Sequence, residues 1–462
     1  MRKIVALFLS FFLVFIPFLI SQTINKKSLE ISKSFVKEAL TSEWGYYFLK
    51  ELSALGPRLS GSENSLKALF WAKSKIEKMG FSKVWLQPTL VDHWERGDIE
   101  KAEMILPDGK SIKLHICALG TSVGTNGKWL YGKIIEVKSF RELQKIKDKV
   151  KGKIVFFNRP MEKELVDTFK AYARAVNQRT AGASEAAKYG AIAVIIVRSV
   201  TTKYDNNPHT GLVSYKKDIK KIPAIAIGLK DADLLSQNIK KFPELKVRVK
   251  LNCKNLPLAK SYNLIAEIKG SEKPEEVIVL GGHFDSWDLG DGAVDDGSGC
   301  VQSLEVLHLF KKLNIKPKRT IRVIFYMNEE FGSKNSGAYT YGEYVKKSKE
   351  THIAAIESDR GAAVPRGFTI NTKDELIKQK VISWLPYLKI ALIDWIKPGG
   401  SGADVSKIKG TKAQFGYVPD VQRYFDYHHS ANDRFSAIHP REFELGSAAM
   451  AILTYLISEY GL

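Results

Sequence analysis

Two stretches of this chain, Val277 to Leu280 and Ile321 to Met327, run apolar almost without a break. A strand with one face in water alternates apolar and polar residues; a continuous apolar run needs cover on both faces, the habit of parallel strands sandwiched by helices. The first run leads straight into GGHFDSWDLGDGAVDDGSG, residues 281–299, which packs five aspartates and six glycines into nineteen positions. So much negative charge at the mouth of a buried strand needs a reason.

The same strand and helix texture organises most of the chain. At 462 residues there is room for two or three domains, each with a core of its own. Helical patterns cover Leu29 to Leu55 and Glu63 to Met79, joined by the turn-forming Gly56 to Ser62. From Trp129 to about residue 255, short β-rich runs alternate with helices, reading as a small α/β module. A second α/β series starts near Tyr262, with strands at Leu264 to Ile268, Val277 to Gly282, Thr320 to Met327 and Ile353 to Ser358, and a closing helix from Pro440 to Glu459. The expected fold is α/β: a mostly parallel mixed sheet flanked by helices over 23–128 and 256–462, interrupted by an inserted smaller domain at 129–255.

Residues 1–22 stand apart. Arg2 and Lys3 precede an apolar stretch from Ile4 to Ile20, and polar Ser21 and Gln22 follow, the order of an export signal. The alternative is an uncleaved membrane anchor, since the stretch is at the short end of what spans a bilayer. Either places the remainder outside the cytoplasm, secreted or periplasmic, with no stable membrane span after cleavage. The net charge of +21 raises nucleic acid as a partner. The lysines, however, are scattered over solvated faces and not interleaved with aromatics, so no nucleic-acid partner is expected. Cys117, Cys253 and Cys300 lie far apart and form no CxxC, so neither a disulfide framework nor a thiolate metal site is suggested.

In open α/β sheets, ligands collect outside the carboxyl ends of strands. Here those ends carry His283 and Asp285, Glu329 and Glu330, and Glu357 and Asp359, while separate segments add Asp295-Asp296 and His428-His429. Acids gathered in a cleft repel one another and resist ionisation, so a cation is the economical explanation. Imidazole mixed with carboxylate suits zinc or a similar first-row ion better than calcium.

Gly282-His283-x-Asp285, Gly292-Ala293-x-Asp295-Asp296-x-Ser298-Gly299, Asn328-Glu329-Glu330-x-Gly332, Glu357-Ser358-Asp359 and the loop Tyr427 to Asp433 together resemble the ordered motifs of the di-zinc aminopeptidases and glutamate carboxypeptidases of clan MH. The resemblance extends to Gly56 to Ser62, His93 to Gly97, Pro208 to Gly211 and Ser286 to Asp288. It implies the zinc exopeptidase fold and Zn2+, two per chain. His283 and Asp359 would hold one ion, Glu330 and His429 the other, with Asp295 bridging both and Glu329 as general base. It further implies a cis Asp295–Asp296 bond, Asp285 supporting His283, and a protease-associated domain as the insert. Relatives form homodimers, so a homodimer is expected, acting on a peptide substrate.

Other points stay open in the sequence. His428 either lines the cleft or packs, and His209 with Thr210 touches substrate, a partner subunit, or neither. Arg360 stands where the animal relative has a small residue; it either receives a substrate carboxylate or pairs with Glu357 or another acid. The peptide terminus recognised is unreadable, leaving carboxypeptidase or dipeptidase against aminopeptidase. A receptor-like binding protein without metals is the remaining alternative.

Overall fold

The computed structural model describes residues 25–191 and 195–462; the expected export segment lies outside them. Among the described residues, no helix is long and apolar enough to cross a membrane. The strands in chain order are β1 (Lys83–Glu95), β2 (Glu100–Ile105), β3 (Ser111–Leu114), β4 (Ile116–Ala118), β5 (Leu130–Val137), β6 (Ile154–Phe157), β7 (Ile195–Arg198), β8 (Ala224–Ile227), β9 (Lys246–Leu251), β10 (Lys254–Ile268), β11 (Lys273–His283), β12 (Arg319–Tyr326), β13 (Thr351–Glu357), β14 (Pro365–Asn371), β15 (Trp395–Pro398) and β16 (Ala413–Pro419).

They form two eight-stranded sheets. The first has the order β1-β10-β12-β11-β13-β16-β14-β15, with β12, β11, β13 and β16 parallel at its centre. β1 and β10 pair antiparallel at one end, and β14 runs antiparallel to β16 at the other. The continuous apolar runs sit in β11 and β12, every residue of β12 being buried. Arg322 is tolerated there because Glu267 and Glu350 neutralise its guanidinium, at 2.6 and 2.7 Å. Helices Ser298–Lys312 and Pro440–Tyr460 are buried along most of their length, as expected of helices apolar on all sides. With the sheet they build the largest apolar core.

The second sheet has the order β3-β2-β9-β5-β6-β7-β8-β4. It takes strands from before residue 129, contrary to the expected boundary: β2 pairs with β9 and β4 with β8. The β2–β3 hairpin alternates buried and exposed residues as a half-covered edge does, so it lacks a continuous apolar run. Its partner β9 lies more than a hundred residues onward, a pairing that local pattern cannot reveal. The expected helix over Leu29 to Leu55 is also divided: Glu43 adopts a left-handed φ of 48° between helices Lys26–Ser42 and Trp44–Ser53.

Candidate metal centre

The carboxyl ends of β11, β12 and β13 converge, as the parallel centre of the first sheet requires. β11 ends on His283, the turn after β12 presents Glu329 and Glu330, and Asp359 follows β13. Asp295 and Asp296 lie between β11 and helix Ser298–Lys312, joined by a cis peptide bond. His428 and His429 enter from the loop after the short helix Tyr424–Tyr427.

Asp295 sits at the middle of the group. Its Oδ1 lies 3.3 Å from His283 Nε2, which is itself 3.6 Å from Asp359 Oδ1. Its Oδ2 lies 3.4 Å from His429 Nε2, which is 2.9 Å from Glu330 Oε2. One carboxylate thus presents an oxygen to each of two imidazole–carboxylate pairs. Three sets of side chains come close enough to share a cation: His283 with Asp295 and Glu330, His283 with Asp296 and Asp359, and Asp295 with His428 and His429.

The donor chemistry fits a metal. Asp295 Oδ2 and Glu330 Oε1 are buried without a hydrogen-bond partner among the described residues, a costly arrangement unless a cation supplies the missing contact. Burial, then the charge of Asp295, holds the Glu330 carboxyl well above the usual range, and burial followed by Asp359 does the same to Asp296. Burial also pushes Glu329 up to about 7, with Asp359, Asp285 and Asp295 adding to it against the opposing pull of His283. For His283 burial opposes the charged form, but the hydrogen bonds it donates to Asp295 and Asp359 prevail and raise its pKa.

The surrounding shell fixes these groups. Asp285 holds His283 through its backbone carbonyl, 2.8 Å from Nδ1, and not through its carboxylate. That carboxylate instead accepts the backbone N–H groups of Asn328, Glu329 and Glu330, at 2.7, 3.1 and 3.3 Å, fixing the turn that carries both glutamates. Three further residues stand in the motifs but were given no role there. Asp296 is fully buried and accepts the N–H groups of His283 and Gly299 at 3.1 and 3.0 Å. Asp433 accepts those of Val294 and Asp295 at 2.7 and 3.2 Å. Arg58, also fully buried, donates from Nε to the Phe284 carbonyl, from Nη1 to that of Asp291 and from Nη2 to that of Gly292, at 2.7, 2.8 and 2.7 Å. Asp296 stands beside Asp295 and Asp433 closes the Tyr427 to Asp433 loop; only its place in Gly56 to Ser62 pointed to Arg58.

His428 stacks on His429 at 3.5 Å between centroids and packs among Tyr172, Tyr424 and Phe425, with its Nε2 3.8 Å from Asp295 Oδ2. Arg360 makes no ion pair with Glu357, whose carboxylate accepts the Val405 N–H at 2.7 Å. The guanidinium of Arg360 lies over the Phe169 ring, 5.0 Å from its centroid, in a pocket shared with Val294, Arg423, Tyr424 and Tyr427. His93, His115, His308, His352 and His439 stand outside the three ligand sets.

This constellation can be compared with known proteins. Residues 263–454 match the peptidase family M28 and residues 123–235 match the PA domain. Human carboxypeptidase Q is 36% identical over 88% of this chain and 84% of its own length. The chain belongs to peptidase family M28. As a member it is a zinc metallopeptidase, and the resemblance read from the ordered motifs holds over most of its length. A crystal structure of a peptidase M28 precursor from Shewanella amazonensis superposes with a TM-score of 0.88 at 33% identity, covering 94% of this chain and 97% of that one. A zinc aminopeptidase from Bacillus subtilis shares the fold, with a TM-score of 0.63 at 18% identity over 89% and 93% of the two chains.

Proposed function

We propose that this M28 peptidase is an exported di-zinc exopeptidase that hydrolyses dipeptides or short peptides. In this reading His283 and Asp359 would hold one ion and Glu330 and His429 the other, with Asp295 serving both. The observation that carries it is the division of Asp295, with Oδ1 toward His283 at 3.3 Å and Oδ2 toward His429 at 3.4 Å. When bound, the ions polarise the scissile carbonyl and acidify the attacking water. Glu329 takes a proton from that water and passes it to the departing amine as the carbon–nitrogen bond breaks. Burial raises the pKa of Glu329, which favours its accepting a proton, and the Asp285 carboxylate keeps its backbone in place.

Arg360 supports the carboxypeptidase or dipeptidase side of the reading. It follows a ligand directly, has no carboxylate partner among the described residues, and is half-buried, so a substrate carboxylate is the anion it is placed to receive. Capture of an α-amine by the acids of the centre is the aminopeptidase alternative, and the metal chemistry is common to both. A metal-free binding protein is disfavoured by the complete donor set. The 1–22 segment supports export, and the likeness to carboxypeptidase Q prompts the homodimer.

Elemental analysis of purified protein tests the centre: two zinc ions per chain are expected, and one or none overturns the di-zinc reading. Comparing a free dipeptide with its amidated and N-acetylated forms tests the terminus. Loss of turnover on amidation, reproduced by Arg360→Met on the free dipeptide, supports carboxylate capture; loss on acetylation alone makes the enzyme an aminopeptidase.

A further inference from the structure

His429 adopts a left-handed backbone conformation, φ 60°, which a side chain with a Cβ rarely takes up. Such a conformation persists when neighbouring structure dictates it. The neighbours that do so here are distant in sequence, in the segment linking β7 to β8 of the second sheet. The Thr210 N–H donates to the His429 carbonyl at 2.8 Å, and the His209 ring meets the His428 carbonyl through Nδ1 at 2.7 Å. A carbonyl only accepts, so Nδ1 carries the proton. Burial keeps this ring neutral, its pKa lowered to about 4.

Gly211 completes the contact. At φ 123° it passes so close to the Arg179 guanidinium and the His429 ring that an added Cβ would stand 2.7 Å from His429 Nδ1. Arg179 Nη1 in turn donates to the Thr210 carbonyl at 3.2 Å, tying the segment to helix Asn177–Ala187. An isolated β-bridge between His209 and Ser430 continues the contact past the histidine.

We propose that His209, Thr210 and Gly211 form a brace that positions His429, which makes the inserted PA module a working part of the metal centre. The inference rests on His429 being a ligand. These are positioning residues, acting on the metal through His429. The brace also accounts for glycine at 211, where neither the backbone angle nor the space admits a side chain.

Gly211→Ala and His209→Phe test it, with His209→Gln as the conservative variant that can still donate to the His428 carbonyl. Zinc affinity is read by competition with a chromophoric chelator on the full-length enzyme, and ligand geometry from the visible spectrum of the cobalt-substituted protein. Gly211→Ala and His209→Phe are expected to weaken one zinc site by about 10- to 100-fold and to alter the cobalt spectrum, lowering kcat more than they raise KM. His209→Gln should recover most of the affinity. Parent-like zinc affinity and cobalt spectra in both disruptive variants overturn the brace, whatever happens to thermal stability. His429→Ala is the control: if it still binds two ions at parent affinity, the assignment of His429 as a ligand has failed, not the brace.

Discussion

Glu329 and Arg58 mark the two ways a single residue serves this centre. In the proposed mechanism Glu329 accepts a proton and holds no metal, so Glu329→Gln should keep its zinc while kcat falls by about 10²- to 10⁴-fold. Normal turnover in that variant, with metal content confirmed, would remove Glu329 from the proton transfer. Arg58 works by geometry alone. Its guanidinium joins Phe284, next to His283, with Asp291 and Gly292, just before Asp295. Arg58→Met would strand three carbonyls, two of them buried, at about 1–3 kcal/mol for each buried one, so a loss on the order of 3–5 kcal/mol in denaturant unfolding is expected. A loss under about 1 kcal/mol would mean that water replaces the guanidinium. At this scale the sequence was legible where chemistry follows from residue type, as for the histidines and acids of the motifs. It was opaque for Arg58, because an arginine that donates to carbonyls looks like any other arginine until the carbonyls have been folded around it.

Between elements, the packing of helix Trp44–Ser53 against helices Ser298–Lys312 and Pro440–Tyr460 buries two acids. No side chain of its own caps this helix; Glu305 accepts the Gly45 N–H at 3.2 Å and Glu444 accepts the Tyr46 N–H at 2.9 Å. These are orphan donors of a helix start, and the positive end of the helix favours the acceptors. Glu305 Oε2 and Glu444 Oε2 are both buried, and burial raises both carboxyls, so the pair retains a proton. Burial, then the neighbouring Glu305, pushes Glu444 up to about 11, against an ordinary value of 4.5. The folded state therefore binds more protons than the unfolded chain between those values, and stability falls as pH rises through that window. Glu444→Gln imitates the protonated acid, so its melting temperature should decline less than the parent's between about pH 6 and 9. Equal slopes would show that the pair does not titrate in that way. Neither acid stood out in a helix that otherwise reads as apolar, since their pairing depends on how three helices pack.

For the whole molecule, the metal centre joins segments from β11 to the loop before the last helix, so bound zinc should stabilise the fold globally. At free zinc 100- to 1,000-fold above the dissociation constant, binding adds about 3–4 kcal/mol. Chelation should then lower the melting temperature by about 3–4 °C, reversibly on adding zinc. An unchanged melting temperature after proven metal loss would mean that the acids are balanced by the protein alone. The sequence by itself determined the parallel core of the first sheet and the convergence of its charged strand ends, because a continuous apolar run demands cover on both faces and side-chain type dictates what can bind a cation. Only the tertiary structure decided that residues 100–118 join the second sheet, that Asp285 holds His283 by its backbone carbonyl while its carboxylate fixes the glutamates, and that Arg360 leaves Glu357 alone. Those outcomes turn on pairings between residues far apart in the chain, whose energies depend on distance and burial that no local pattern encodes.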